Sequence, residues 1–420
     1  MIFGIVVVSS LIIIKQEAVK AVTFPDKNLE EAVRKAIGKP TEPIHAADLE
    51  KLIELHASLE SITELTGLEY CTNLKELDLG GNRISDFSPL WKLTNLEALN
   101  LSLNKISDVS ALSRVTNLKA LDLNFNDISD ISALSKLTNL EVLNLNYNEV
   151  SDVSSLSKLT NLKRLNLSSN PISDLSTFPK LTNLEELYLV NNKLSDISGL
   201  SKLTNLKVLD LCNTEISDIS VLSKLTKLEM LDLAVNQISD ISSLSKLTNL
   251  KKLDLIGNQI SNISALSELA NLEILKLGSN QIDDVPPLHK LTNLKELWLE
   301  FNQINDVSGL SKLTNLKSLV LGKNQVSNIS ALSMLTNLEE LYLWDNQISD
   351  ISPLSRLINL EELDLEGNQI SNIKPLVTNP GLSKGDKVWL AGNPLSPTST
   401  HIYIPHLRRR GVEINPPGLE

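Results

Sequence analysis

From Leu74 onward the apolar positions of the chain return every 22 residues, and fourteen successive frames fit without an insertion, the last ending at Gly381. One frame reads Leu118-Lys-Ala-Leu121-Asp-Leu123-Asn-Phe-Asn126-Asp-Ile128-Ser-Asp130-Ile131-Ser-Ala-Leu134-Ser-Lys-Leu137-Thr-Asn139. Each frame holds two periodicities. Its first part alternates, so Leu121 and Leu123 face one side of a short strand and Asp122 the other. Its second part, Ile128 to Leu137, carries apolar residues three apart, a spacing that suits 3₁₀ turns, with Ser and Asp between them as turn cappers. One such unit cannot bury its own apolar face, whereas stacked copies form a continuous leucine column. The pattern predicts an α/β solenoid, with strands roughly 4.8 Å apart in one long parallel sheet. Strands on one side and tighter turns on the other predict curvature, with the strands on the concave face and the 3₁₀ turns on the convex face.

The three strand leucines are Leu in all fourteen frames. The Asn that follows them (Asn82, Asn104, Asn126 and onward to Asn368) is replaced only at Thr214. An Asn amide both donates and accepts, so a column of them can satisfy the buried backbone groups of the turn. A threonine hydroxyl does less, which predicts a weak point in that coil.

The ends depart from the frame. Residues 2–14 form an apolar run too short to cross a membrane comfortably, and residues 1–21 are expected to be a secretory signal peptide, cleaved after Ala21, or an N-terminal anchor. Residues 22–51 are expected to form a helical N-cap. Asp26 starts a helix to about Ile37, Gly38 and Pro40 end it, and Leu29, Val33, Ala36 and Ile37 cover the open end of the leucine column. A second short helix is expected between His45 and Leu52. Repeats are expected over 52–393, the first degenerate, with the regular coils at 74–381. Beyond these the register slips, Asn393 following Asn368 by 25 residues. The C-terminal cap is expected over 394–420. A helix opening at Ser396-Pro397 is bent or restarted at Pro405 and ends at Gly411, and an edge strand is expected at Val412 to Ile414.

The frame matches the leucine-rich repeat signature L-x-x-L-x-L-x-x-N over about four fifths of the chain. That resemblance implies a curved leucine-rich repeat horseshoe. The string TNLxxLxLxxNxISDISxL, with its N-cap and C-cap, resembles bacterial internalin-like leucine-rich repeat proteins. It implies an extracellular or surface-associated binding module with a protein ligand on the concave face, and carries over no particular ligand. The LPxTG sorting signal, C-terminal apolar tail and following Ig-like domain of surface-anchored members are not found. The expected location is therefore secreted, periplasmic or cell-surface.

Charge and chemistry narrow the function. The net charge of −12 disfavours a nucleic-acid backbone or an anionic membrane surface as partner. No nucleophile, metal, phosphate-loop or dinucleotide signature is present, and the five His are scattered. The expectation is a non-enzymatic monomer with no catalytic residues, metal or cofactor. Cys71 stands where a core Leu is usual and is expected to be a small buried hydrophobe, and Cys212 a surface thiol too distant for a disulfide. The Asp column at Asp86, Asp108, Asp130 and Asp152 offers one carboxylate per coil, too few for calcium, and fits turn capping. The Lys and Arg stripe six residues later reads as a solvated face.

A solenoid binds through its outward strand positions. In the frame these are the third, fifth, seventh and eighth. Eight of the fifteen aromatics fall in such columns, counting Trp389. Trp298 and Tyr342 occupy the fifth, Glu300 and Trp344 the seventh and Phe301 the eighth, with Asp364 and Glu366 beside them. This patch is the leading candidate for a protein partner, because Trp and Tyr dominate binding hot spots and acidic neighbours favour basic groups. Phe125 and Tyr147 form a weaker candidate, since the eighth position is expected to point partly into the turn, and Tyr188 in the fifth column is a further partner-binding candidate. Two alternatives stand: the same aromatics and carboxylates could serve a glycan or cell wall, or the rings could pack on one another as a lid.

Overall fold

The computed structural model describes residues 21–415, so the expected signal or anchor, except Ala21, lies outside the described residues. No helix among the described residues is long and apolar enough to cross a membrane. The chain divides into two units, one ending at Asn205 and the other beginning at Leu206.

The first unit opens with helix α1, Lys27–Ile37. Asp26 caps it, its Oδ1 accepting the N–H groups of Asn28 at 3.0 Å and Leu29 at 3.1 Å. Gly38 ends it in the left-handed region at φ 68°, where a side chain would be strained. Leu29 and Val33 are buried, but Ile37 is only half-buried and Ala36 is exposed. The covering line is thus the i, i+4 row of residues 29 and 33, and Ala36 falls off it. The other oxygen of Asp26 accepts the N–H and hydroxyl of Thr63, at 2.7 and 2.9 Å, and clamps the helix to the first coil. Burial pushes the Asp26 carboxyl up, but these hydrogen bonds, with Thr63 N–H foremost, leave it below the usual range. A four-residue helix α2, Ala46–Leu49, follows.

Three-residue strands then recur once per coil, from Glu54–His56 to Glu186–Tyr188 in this unit. Each pairs in parallel and in register, so that Leu55, Leu77, Leu99 and Leu121 stand in one row. These leucines and those two residues on are buried, and the residue between is partly open. Opposite the strands run 3₁₀ turns such as Ser110–Arg114 and Ser132–Lys136. Stacked leucine and isoleucine rows fill the space between, with Phe87 and Phe178 substituting in their own coils.

The second unit repeats this plan, with strands from Val208–Asp210 to Lys387–Trp389. Its last regular coil carries a short α-helix, α3, Lys374–Thr378, in place of the 3₁₀ turn. The register slip is absorbed in the loop after it. Asn379 is fully buried there, donating to Leu354 O and Leu357 O. Asn393 rejoins the Asn column, donating to Leu365 O at 2.7 Å and accepting from Ile370 N–H. The closing helix is irregular: a π turn, Ser399–Tyr403, runs into α4, Ile404–Arg409. An edge strand, Glu413–Ile414, pairs with Lys387–Trp389. Arg410 donates to Val377 O, Asn379 O and Leu382 O, so one guanidinium ties the end of the chain to the slipped loop.

Three polar ladders hold the coils. In the first, Asn126 Nδ2 donates to Leu123 O of its own coil and Leu101 O of the preceding one, while its Oδ1 accepts from Ile106 N–H. At Thr214 the hydroxyl reaches Leu211 O at 2.8 Å, and the Thr214 N–H turns to Asn236 Oδ1 at 3.1 Å. In the second, the Asn of each Thr-Asn pair donates back to the preceding coil, as Asn117 to Thr94 O and Asn139 to Thr116 O. In the third, the Asp column accepts the N–H two residues on, as Asp108 from Ser110 at 2.7 Å. No ion pair links this column to the Lys and Arg stripe among the described residues. Lys92 and Arg114 instead lie over Trp91, 5.5 and 5.0 Å from its ring centroid.

Candidate functional site

The strand face of the second unit carries a cleft of about 570 Å³ lined by Trp298, Glu300, Ser318, Val320, Glu340, Tyr342, Trp344, Asp364 and Glu366. Three consecutive strands, Glu296–Trp298, Ser318–Val320 and Glu340–Tyr342, supply its floor in register. Trp298, Val320 and Tyr342 are therefore neighbours in one row, and the small Val320 leaves the gap between two aromatic walls. Tyr342 and Trp344 meet edge to face, 6.3 Å between centroids and 76° between planes, a favoured geometry for such rings. Tyr342 also donates to Glu362 Oε2 at 2.6 Å, and Lys387 reaches the other oxygen of Glu362 at 2.8 Å. This chain of contacts fixes the Tyr342 ring and pulls the Glu362 carboxyl below its ordinary range, through Lys387 first and then Tyr342.

The position of Trp344 depends on a glycine. A Cβ on Gly322 would lie 2.0 Å from the indole, which spreads over the glycine of the preceding coil. Gly278 plays the same part for Glu300, whose carboxylate would lie 2.3 Å from an added Cβ. The seventh column thus alternates Gly278, Glu300, Gly322, Trp344, and the small members leave room for the large ones. Glu300 Oε2 is buried and has no hydrogen-bond partner. Burial raises the Glu300 pKa, with the Asp254 carboxylate adding to it. Burial also takes Asp364 up to about 6, even though it accepts the Glu366 N–H at 2.9 Å. On the far side of Trp298, Lys276 Nζ stands 4.0 Å from the ring centroid.

Of the residues singled out from sequence, Trp298, Glu300, Tyr342, Trp344 and Asp364 lie together in this cleft, and Phe301 does not line it. Phe301 is exposed at φ 54°, in the left-handed turn that the eighth position adopts in most coils. That turn also corrects the expectation for Phe125 and Tyr147. Both have φ 52°, both are exposed rather than turned inward, and their rings stack 4.3 Å apart at 13°. The left-handed backbone swings the side chain out of the turn. Tyr188, in the first unit, is held by its own face: its hydroxyl donates to Glu186 at 2.9 Å, and Arg164 lies 5.3 Å over its ring. Trp389, counted with the outward aromatics, is 5% exposed, and Asp364 beside it in the strand register is 7% exposed. Cys71 is buried, and desolvation carries its thiol to about 12. Cys212 is half-buried rather than a surface thiol, and desolvation with Asp232, Asp210 and Asp254 carries it to about 11.

Ser318, Gly278, Gly322, Lys276 and Lys387 did not emerge from sequence. The two glycines left a signal there, each standing 22 residues before a large seventh-column residue, and so did Lys276, which stands 22 residues before Trp298 in the fifth column. A larger groove of about 1110 Å³ runs along the same unit past Lys251, Glu273, Lys295 and Glu339. Several of its lysines are held by glutamates one coil away, as in Lys251–Glu229 and Lys295–Glu273, both at 2.7 Å, and it holds no aromatic side chain.

Coils of one strand and one turn, closed by helical ends and presenting an open strand face, define a leucine-rich repeat solenoid. The family model described as Leucine Rich repeats (2 copies) matches repeatedly between residues 72 and 378, first at 72–114 and last at 336–378. Among solved structures, an internalin (inlF) from Listeria monocytogenes is 36% identical, covering 83% of this chain and 96% of that one at a TM-score of 0.68. An LRR protein from Leptospira interrogans is 26% identical over 88% of this chain and 97% of that one, with a TM-score of 0.69. An internalin C2 from Listeria monocytogenes is 37% identical over 51% of this chain and 98% of that one, with a TM-score of 0.50. No curated protein sequence matches the chain. The chain belongs to the leucine-rich repeat family, in its internalin-like group. Proteins of this family are protein-binding scaffolds, in general without catalytic activity.

Proposed function

We propose that this chain binds a protein partner outside the cytoplasm through the strand face of its second unit, centred on Trp298, Tyr342 and Trp344. The observation that carries this reading is the aromatic cleft itself. The chain builds its coils almost wholly from Leu and Ile, yet spends two tryptophans and a tyrosine on a partly open face. Rings held by Gly322, Glu362 and neighbouring strands are preorganised, so a partner orders little on docking. Trp and Tyr are the side chains that most often dominate such contacts. Location outside the cytoplasm is supported by the apolar run at residues 2–14 and by the internalin-like relatives.

The test is capture from extracellular and surface extracts on residues 22–420, against the Trp298→Ala/Trp344→Ala double variant. A protein retained by the natural chain and lost by the variant is expected. Equal retention by both would overturn the reading, and retention of polysaccharide alone would replace it with glycan binding.

A further inference from the structure

In both units several surface glutamates are paired with lysines one coil away. Glu97 with Lys119, Glu141 with Lys163, and Glu229 with Lys251 all lie at 2.7 Å. The carboxylates of the cleft have no such partner. Among the described residues, no ion pair reaches Glu300, Glu340, Asp364 or Glu366, although all four line it. The nearby cations are already engaged: Lys323 by Asp345 at 2.6 Å, Lys387 by Glu362 at 2.8 Å, and Lys276 by Asp254 at 3.9 Å and the face of Trp298. The cleft therefore concentrates negative charge between aromatic walls, with no cation ion-paired to these four carboxylates among the described residues.

We infer that the guest of this cleft is a cationic side chain of the partner, an arginine guanidinium or lysine ammonium, seated between Trp298 and Trp344 and bonded to Glu300. The inference rests on the protein-binding reading of the same cleft. Three observations carry it beyond that reading. Glu300 Oε2 is out of water with no donor, a costly state that a guest N–H relieves, and Glu300 lines the cleft. Lys276, poised on Trp298, shows that this indole already accepts an ammonium against its face. Four carboxylates without an ion pair repel an acidic guest, and the more open of them, Glu340 and Glu366, would lose hydration against a neutral one. A planar guanidinium answers both features, because it stacks on an indole and presents parallel donors to a carboxylate.

The experiment is a titration of the whole chain with two short peptides, acetyl-Gly-Arg-Gly-amide and its citrulline counterpart, followed by the indole N–H resonances of the tryptophans. Citrulline keeps the shape and removes the charge. The arginine peptide is expected to shift Trp298 and Trp344 saturably, leave Trp91 unmoved, and bind about tenfold tighter than the citrulline peptide. Glu300→Gln is expected to erase most of that difference. Equal affinity for the two peptides, no shift at either indole, or stronger shifts from methyl glucoside would overturn the proposal. The peptide contrast is made on the natural chain, so it decides even if Glu300→Gln misfolds. If the contrast fails while protein capture still depends on Trp298 and Trp344, the binding surface stands and the cationic guest does not. If both fail, both readings fall.

Discussion

At the scale of single residues, the strand face stores unfavourable charge. Asp210, Asp232 and Asp254 stand in one row, and burial with mutual repulsion takes Asp232 up to about 6. Its folded pKa exceeds its ordinary value, so the folded chain holds a proton that the unfolded chain has released between about pH 4 and 6. The contribution of this group to stability therefore falls as pH rises through that window, and the full penalty is present at pH 7. Asn occupies the same column at Asn100 and Asn144, keeps the same turn hydrogen bond, and donates to the neighbouring Asp. Asp232→Asn should therefore stabilise the fold at pH 7.5 by about 1 kcal/mol after allowance for solvent screening. It should give no gain at pH 4, as read from denaturation midpoints at the two pH values. Asn236 makes a second case. Its Oδ1 accepts the N–H groups of both Thr214 and Ile216, whereas Asn258 Oδ1 serves Ile238. Asn236→Ala should cost about 1 kcal/mol more than Asn258→Ala, because it orphans one more buried donor. Hydrogen exchange should show protection lost at Thr214 and Ile216.

At the scale of elements, close approach between coils decides where side chains lie. The fifth and seventh columns can be read from the 22-residue frame, but which members stay open cannot. Trp389 and Asp364 are buried by neighbours that the frame places on the same face. Trp344 lies flat because Gly322 has no Cβ. Gly322→Ala should displace the Trp344 ring without unfolding the coil: the indole fluorescence should shift, partner capture should fall about tenfold or more, and the melting temperature should change little. At the other end, the clamp on α1 is one carboxylate with two duties. Asp26→Ala removes the helix cap and the bonds to Thr63 together and should cost about 2 to 3 kcal/mol. Exchange should accelerate in α1 and in the Thr63 turn, with distant coils unaffected, since coils couple chiefly to their neighbours. The second Asn ladder was present in the sequence as a Thr-Asn pair in nearly every frame. Its role is not legible there, because a polar residue at a turn has the same pattern whether it faces water or the next coil.

At the scale of the whole molecule, net charge and the cleft act in the same sense. A chain of net charge −12 attracts a basic partner at long range, so the association rate should fall as salt shortens the screening length. The cleft adds a pH dependence. Asp364, taken to about 6 by burial with Glu366 and Asp345 nearby, loses its charge as pH falls through that value, and burial shifts Glu300 in the same direction. Affinity for a basic partner should drop about threefold or more between pH 7.5 and 5.5, and a surface-capture titration at the two pH values checks it. An unchanged affinity would separate the partner from these carboxylates.

By itself the sequence determined the repeat length, the identity of the buried leucines, the strand and turn in each coil, the Asn column and the capped ends. These are local and periodic: a leucine returning every 22 residues has one place to go when coils stack, and the same physics repeats in each frame. Tertiary structure alone decided which outward residues remain accessible, which carboxylates find a cation, and which glycines make room for a ring. Those outcomes depend on side chains one coil apart competing for the same space and the same charges, a contest between residues 22 positions apart that no single frame contains.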